Sequence, residues 1–139
     1  MASKAAARQR EAVVDSVADR LGRNEPVVAV LPFAVTPARP RSGGKVREGI
    51  YQTDRRYRPL VATDRRLFVL DAARTPYPRG VLAEFPIATV AFVDVTPRWF
   101  GQQRVRLELP GNGVVPFDLG RLEVDDLARL RELLGAGAA

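Results

Sequence analysis

Seven cations crowd between residues 39 and 58: Arg39, Arg41, Lys45, Arg47, Arg55, Arg56 and Arg58, opposed there only by Glu48 and Asp54. A guanidinium offers a planar fork for carboxylate or phosphate oxygens and an ammonium offers a point charge, so the chemistry open to this stretch is the holding of an anion. The wider count agrees. Residues 1–59 carry 12 basic and 6 acidic side chains and the remaining residues carry 10 of each, so the whole formal excess of +6 belongs to the first part. Such an excess fits lipid headgroups, nucleic acid or an acidic protein, and equally a solvated loop without a ligand. A second group, Arg98-Trp99-Phe100-Gly101, sets the chain's one Trp beside a Phe and between Arg98 and Arg104. Two such rings either anchor at a membrane interface or a partner protein, or fold under their own domain as a lid.

Bond-making chemistry has less to work with. Cys and His are both absent, which removes disulfides, thiol nucleophiles, His-based triads, imidazole acid–base catalysis and the usual zinc sites. Gly43-Gly44-Lys45 ends like a phosphate-cradling loop, but position 39 is Arg39, Val46 stands where a Ser or Thr belongs, and no helical pattern follows. Gly111-Asn112-Gly113 joins two expected strands and is soon followed by Pro116, so it is no dinucleotide fingerprint. Asp64, Asp71, Asp94 and Asp118 fall at expected strand ends and turns, where Asp serves the backbone. Asp125-Asp126 suits the positive end of a helix rather than a metal. No metal, cofactor or catalytic group is expected, and the chain reads as a non-enzyme.

The elements that must position these groups follow from pattern. The 139 residues suit one domain with an appended helix. Residues 4–21 predict a helix, with Val13, Val17 and Leu21 at every fourth position, Val14 and Ala18 beside them, and Gly22 and Pro26 beyond. Its narrow apolar stripe must dock, on its own domain or on a partner helix or second copy. Val27–Val35 is rich in β-branched residues and interrupted by Pro32, which predicts an edge or irregular strand. Thr36–Gly44 is turn-forming, and Val46–Gln52 predicts a further strand, because a long structureless loop from Thr36 to Arg58 would be unusual. Arg58–Thr63 and Leu67–Asp71 predict a hairpin turning at Asp64-Arg65, with Leu67-Phe68-Val69-Leu70 covered on both faces. Val81–Phe85 and Thr89–Val95 predict strands on either side of Pro86. Arg104–Leu109 alternates cleanly, Pro110-Gly111-Asn112-Gly113 turns the chain, and Val114–Leu119 returns it with Pro116 facing outward on an edge. A closing helix over 123–134 puts Val124, Leu127, Leu130 and Leu134 on one face, pairs Asp125 with Arg129, and ends at Gly135. No apolar run reaches the roughly 20 residues needed to span a bilayer, and charges run through the Ala-rich start, so no signal peptide is expected.

Two stretches carry a family likeness. Val61-Ala62-Thr63-Asp64-Arg65-Arg66-Leu67-Phe68-Val69-Leu70-Asp71 is similar to a strand–TDxRL–strand hairpin, and Phe85-Pro86-Ile87-Ala88-Thr89-Val90 to an "xIPLxxIxxV" step between later strands. With the Gly-Asn-Gly turn, Val115-Pro116-Phe117 and the closing helix, their order over residues 26–134 resembles a bacterial pleckstrin-homology-like domain, related to the GRAM and YokE-like variants. The resemblance implies a mainly β fold with α: a roll or open barrel of about seven antiparallel strands in two near-orthogonal sheets, capped by a C-terminal helix. Residues 1–25 would add the N-terminal helix, 36–59 an Arg-rich loop or hairpin, and 135–139 a flexible tail. The closing helix departs from the eukaryotic pattern in having no Trp. In phosphoinositide-binding members a Lys before the first hairpin loop and an Arg-x-Arg after it hold phosphates; Lys45 with Arg56-Tyr57-Arg58 resembles that spacing. Bacterial members seldom imply phosphoinositides, so a generic anionic lipid is the ligand such a site would take.

The function expected on these grounds is a non-catalytic binding or scaffolding module, cytoplasmic and able to sit peripherally on a membrane. It would recruit a protein partner or an anionic membrane lipid through the basic segment, with Trp99 and Phe100 as an apolar anchor. The alternatives are a self-assembly (homo-oligomer) or protein-interaction module that uses the N-terminal helix and a strand edge, and non-specific binding of nucleic acid. The last lacks a basic helix and an aromatic array on a strand.

Overall fold

The computed structural model describes residues 4–40 and 49–136. Among them, β8 (Gln103–Leu109) and β9 (Gly113–Leu119) form the longest hairpin. Val105 faces Phe117 and Leu107 faces Val115 across it, so the alternation of β8 puts one continuous apolar face inward. Gly111 and Gly113 turn the chain at φ 77° and 69°, a region that side chains avoid. On the other side of β8 lies β7 (Ala91–Pro97), the outer strand of its sheet.

Two segments each serve both sheets. Pro32 follows β1 (Val27–Leu31), and after the break β2 (Val35–Thr36) pairs with β9. The chain crosses back between β3 (Arg56–Tyr57), which pairs with β2, and β4 (Leu60–Thr63), which pairs with β1. A proline at each crossing, Pro32 and Pro59, withholds the N–H that a continuing ladder would need. The crossings are tied together by Arg58 N–H donating to Ala34 O at 2.7 Å. With β5 (Arg66–Leu70) and β6 (Val81–Pro86), the result is a four-stranded sheet ordered β1-β4-β5-β6 and a five-stranded sheet ordered β3-β2-β9-β8-β7, both antiparallel. Nine strands therefore stand among the described residues where about seven were expected, because the two crossing segments are each broken in the middle.

The main core lies between the sheets and under α2 (Val124–Ala136), which contributes Leu127, Leu130 and Leu134. A second, smaller core lies on the outer face of the four-stranded sheet, where α1 (Lys4–Asp15) and the turn after it lay Val13 and Val17 on Val30, Val61, Phe68 and Leu70. The doubly apolar run of β5 is thereby explained: Leu67 and Val69 enter the main core, and Phe68 and Leu70 enter the second. Each such side chain contributes about 2 kcal/mol by leaving water, and the apolar stripe of α1 is spent on its own domain.

Several expectations need correction. The first α-helix ends at Asp15, not Leu21, with a separate 3₁₀ turn over Ala18–Arg20. Ser16 Oγ donates to Ala12 O at 2.9 Å, a side-chain bond that competes with helix continuation. Residues 49–51 form a bend and Gln52 is irregular, so they are not the end of a Val46–Gln52 strand, and residues 46–48 lie outside the described residues. Pro116 is buried, and β9 is an interior strand; β2 meets β9 at Asp118, short of Pro116, so the missing N–H disturbs no ladder there. Val124 is exposed, the apolar face of α2 beginning at Leu127. Arg129 pairs with Asp126, not Asp125, and α2 runs through Gly135 to Ala136.

Candidate functional site

The cationic stretch does not form one cradle. Arg58 is 1% exposed. Its Nε donates to Ile50 O at 3.1 Å, Nη1 to Asp71 Oδ1 and Ala72 O at 3.0 Å each, and Nη2 to Gly49 O at 3.4 Å. Desolvation pushes this guanidinium's pKa down, against the raising influence of Asp71. An arginine used up in this way fastens the 49–50 bend to the strand-to-loop junction at Asp71 and Ala72, and is not available to a ligand; the expectation that Arg58 binds an anion is corrected. Arg56 is half-buried, with Nε 3.1 Å from both oxygens of Asp54. Arg39 and Arg55 are exposed and lie over aromatic faces, 5.5 Å from the Tyr51 centroid and 5.4 Å from that of Tyr57. Arg41, Lys45 and Arg47 lie outside the described residues, and with them the Lys45 half of the Lys45–Arg56–Arg58 expectation.

Trp99 and Phe100 occupy the β7–β8 turn. Arg56 lies on β3, and β3 and β7 are the two outer strands of the five-stranded sheet, four strand spacings or about 19 Å apart; Gly49 lies against Asn112 in the β8–β9 turn, at the far end of β8. The described basic residues and the aromatic anchor are therefore two surfaces rather than one. Arg98 N–H donates to Gln102 O at 2.7 Å and Gln102 N–H to Trp99 O at 3.1 Å, closing a tight turn. Inside it Phe100 and Gly101 both take positive φ, 58° and 75°. Trp99 is 79% and Phe100 89% exposed, so the rings form no lid. Leu122, 65% exposed, and half-buried Phe33 line a shallow pocket with Phe100.

A third surface was not singled out from sequence. The 3₁₀ turn Ile87–Thr89, β7 and the last turns of α2 enclose an open groove of about 510 Å³, lined by Ile87, Val90, Ala91, Phe92, Leu133 and Leu134. Arg131, also lining it, lies 5.2 Å from the Phe92 centroid, and no described carboxylate pairs with it. The edge of β7 that pairs with no described strand runs alongside. Sequence pattern could show that Phe92 and Leu133 were apolar but not that two distant segments leave them facing each other across a gap.

Among the described residues, three buried carboxylates hold the fold beside these surfaces. Glu25 accepts from Arg66 at 2.8 and 2.7 Å, from Thr63 Oγ1 at 2.7 Å and from Gly22 N–H at 2.8 Å; the Arg66 bond leads in lowering its pKa from 4.5 to about 2. Glu123 accepts Gly120 N–H and Phe33 N–H, each at 3.1 Å, and desolvation, with Asp126 nearby, raises its pKa from 4.5 to about 7. Asp126 accepts Val30 N–H at 3.0 Å and an Arg10 guanidinium at 2.6 Å. A carboxyl of raised pKa beside a pocket has the profile of a general acid, but both oxygens of Glu123 are taken by backbone amides of its own fold. The Gly120-x-x-Glu123 spacing, half of a capping box, was the signal in sequence. No group of three or more carboxylates among the described residues is placed to hold a metal ion, and no described helix is long and apolar enough to cross a membrane. Set against known families and characterised proteins, the sequence matches no family model and no curated protein.

Proposed function

We propose that the chain is a non-catalytic binding module of the pleckstrin-homology-like kind, which recruits a protein partner along the free edge of β7. Joining β1 to β2 across Pro32, and β3 to β4 across Pro59, reduces the nine strands to seven segments in two sheets with a closing helix. That count and order support the family reading. The observation that carries the binding mode is the apolar groove between β7 and α2 beside an outer strand with unpaired backbone groups. An extended peptide gains affinity from main-chain hydrogen bonds to such an edge and specificity from side chains dropped into the pocket beside it. Arg131 adds a preference for a carboxylate in the occupant. The bulge between Phe92 and Asp94 and the terminal Pro97 restrict pairing to a short strand and oppose open-ended sheet growth.

Panning random displayed peptides against the immobilised full chain tests this reading. Selected peptides should be extended, apolar and acidic, and should shift the amide resonances of residues 87–97. Gly135 lines the groove, and a Cβ there meets no atom within 4 Å. Gly135→Glu should therefore fold normally yet weaken those peptides by at least tenfold, about 1.4 kcal/mol. Peptides indifferent to Gly135→Glu, or no selected peptides at all, would count against the groove. Recruitment of an anionic partner by exposed Arg39 and Arg55 is the second reading, favoured by the charge excess; its binding should fade with salt.

A further inference from the structure

The aromatic turn calls for an explanation of its own, because exposing two large rings is costly and this turn is shaped to do so. A bulky residue at φ 58° is uncommon and disfavoured by its own Cβ. Phe100 is held there by the two backbone hydrogen bonds that close residues 98–102 and by Gly101 at φ 75° next to it. The surroundings are cationic. Arg98 and Arg121 are exposed and make no ion pair with a described residue, and the Arg121 side chain runs along Gly101, where an added Cβ would come within 3.4 Å of it. Carboxylates on the adjoining strands and the turn before α2 are engaged elsewhere: Asp118 with Arg104, Asp94 with Arg106, and Glu123 with backbone amides.

We propose that the Trp99–Phe100 turn inserts into the headgroup boundary of an anionic membrane, with Leu122 beside it and Arg98 and Arg121 contacting lipid phosphates. Exposure and charge favour a bilayer over a protein pocket. The rings project from a hairpin turn at 79% and 89% exposure, beside the shallow pocket that Phe100 and Leu122 line, and an indole beside a phenyl ring, flanked by cations, suits an interface that is apolar on one side and charged on the other. Neither ring is needed by the core, since both are exposed. The surface lies at the end of β7 away from the groove, so one face can rest on lipid while the other takes a peptide. It stands independently of the peptide reading.

Trp99 is the chain's one tryptophan, and its emission reports this turn alone. With the full chain, vesicles of phosphatidylcholine and phosphatidylserine should shift Trp99 emission to the blue, and bromine placed on their acyl chains should quench it. Vesicles of phosphatidylcholine alone should do much less. In sedimentation with the mixed vesicles, Trp99→Ser and Phe100→Ser should each weaken binding by about tenfold, and Arg98→Ala and Arg121→Ala by about fivefold each. Circular dichroism melts of the four variants should match the parent, which separates lost binding from lost fold. Vesicle binding with unchanged Trp99 emission would move the contact to the cationic stretch and overturn the proposal. Equal binding to both vesicle types would remove the role of the arginines, and an absence of binding would remove the proposal altogether.

Discussion

Arg58 and Phe100 occupy the places that their side chains would ordinarily exchange. The guanidinium is sealed at 1% exposure and the phenyl ring stands at 89%. What separates them is the supply of partners. Arg58 finds three carbonyls and one carboxylate converging at its crossing between sheets, enough to replace the water it loses. Phe100 lies in a turn whose closure leaves its ring no core to enter. Residue type sets what a position would cost, and the neighbours decide whether that cost is met.

The largest effect should come from breaking the buried side of this contrast. Arg58→Leu leaves the Ile50 and Ala72 carbonyls without their donor and Asp71 with Arg79 alone, and should lower unfolding free energy by about 4 kcal/mol. Phe100→Ser should stay within about 0.5 kcal/mol of the parent. Urea titrations of the two variants side by side would measure the difference, and similar losses in both would sink the assignment of Arg58 as a structural tie.

The same contrast divides the buried carboxylates and gives a pH signature of intermediate size. Glu25, facing a guanidinium, has a folded pKa of about 2 against an ordinary 4.5. Its contribution is complete above pH 4.5 and is lost as pH falls toward 2. Glu123, desolvated, bonded to amides and close to the Asp126 carboxylate, has a folded pKa of about 7 against 4.5. Its contribution is complete below pH 4.5 and is lost as pH rises through 7. For these two groups together, stability should be greatest near pH 4.5 and decline on both sides. Glu123→Gln should flatten the alkaline decline and leave the acid one intact, as read from urea midpoints across the range; a profile unchanged by that substitution would show that another group governs it.

The smallest effect should come from relaxing the exposed side. Phe100→Gly relieves the positive φ while adding freedom to the unfolded chain, and the balance should be a gain of about 0.5 kcal/mol. A loss of stability by thermal denaturation would mean that the ring makes contacts worth keeping.

Legibility in the sequence followed the range of the interactions. The β8–β9 hairpin, the β4–β5 turn and the double coverage of β5 could be read in advance, because alternation and glycine positions act over a few residues. The division of two segments between sheets could not, since Pro32 announces a break but not which strand the chain will join next. The cationic and aromatic groups could be named as candidates by residue type. Their separation across the five-stranded sheet, and the groove formed by β7 with the distant end of α2, depended on how the sheets close.

What the amino acids determined unaided was a set of local preferences: strands where apolar residues alternate, a helix whose leucines share a face, turns at glycine, and an excess of positive charge. The tertiary structure alone decided that Arg58 would be a buried fastener, that Glu25 and Glu123 would be shifted in opposite directions, and that two aromatic rings would be left in water. Each of those outcomes turns on desolvation and on hydrogen-bond partners many residues away, and such quantities acquire values only when the chain has brought the partners together.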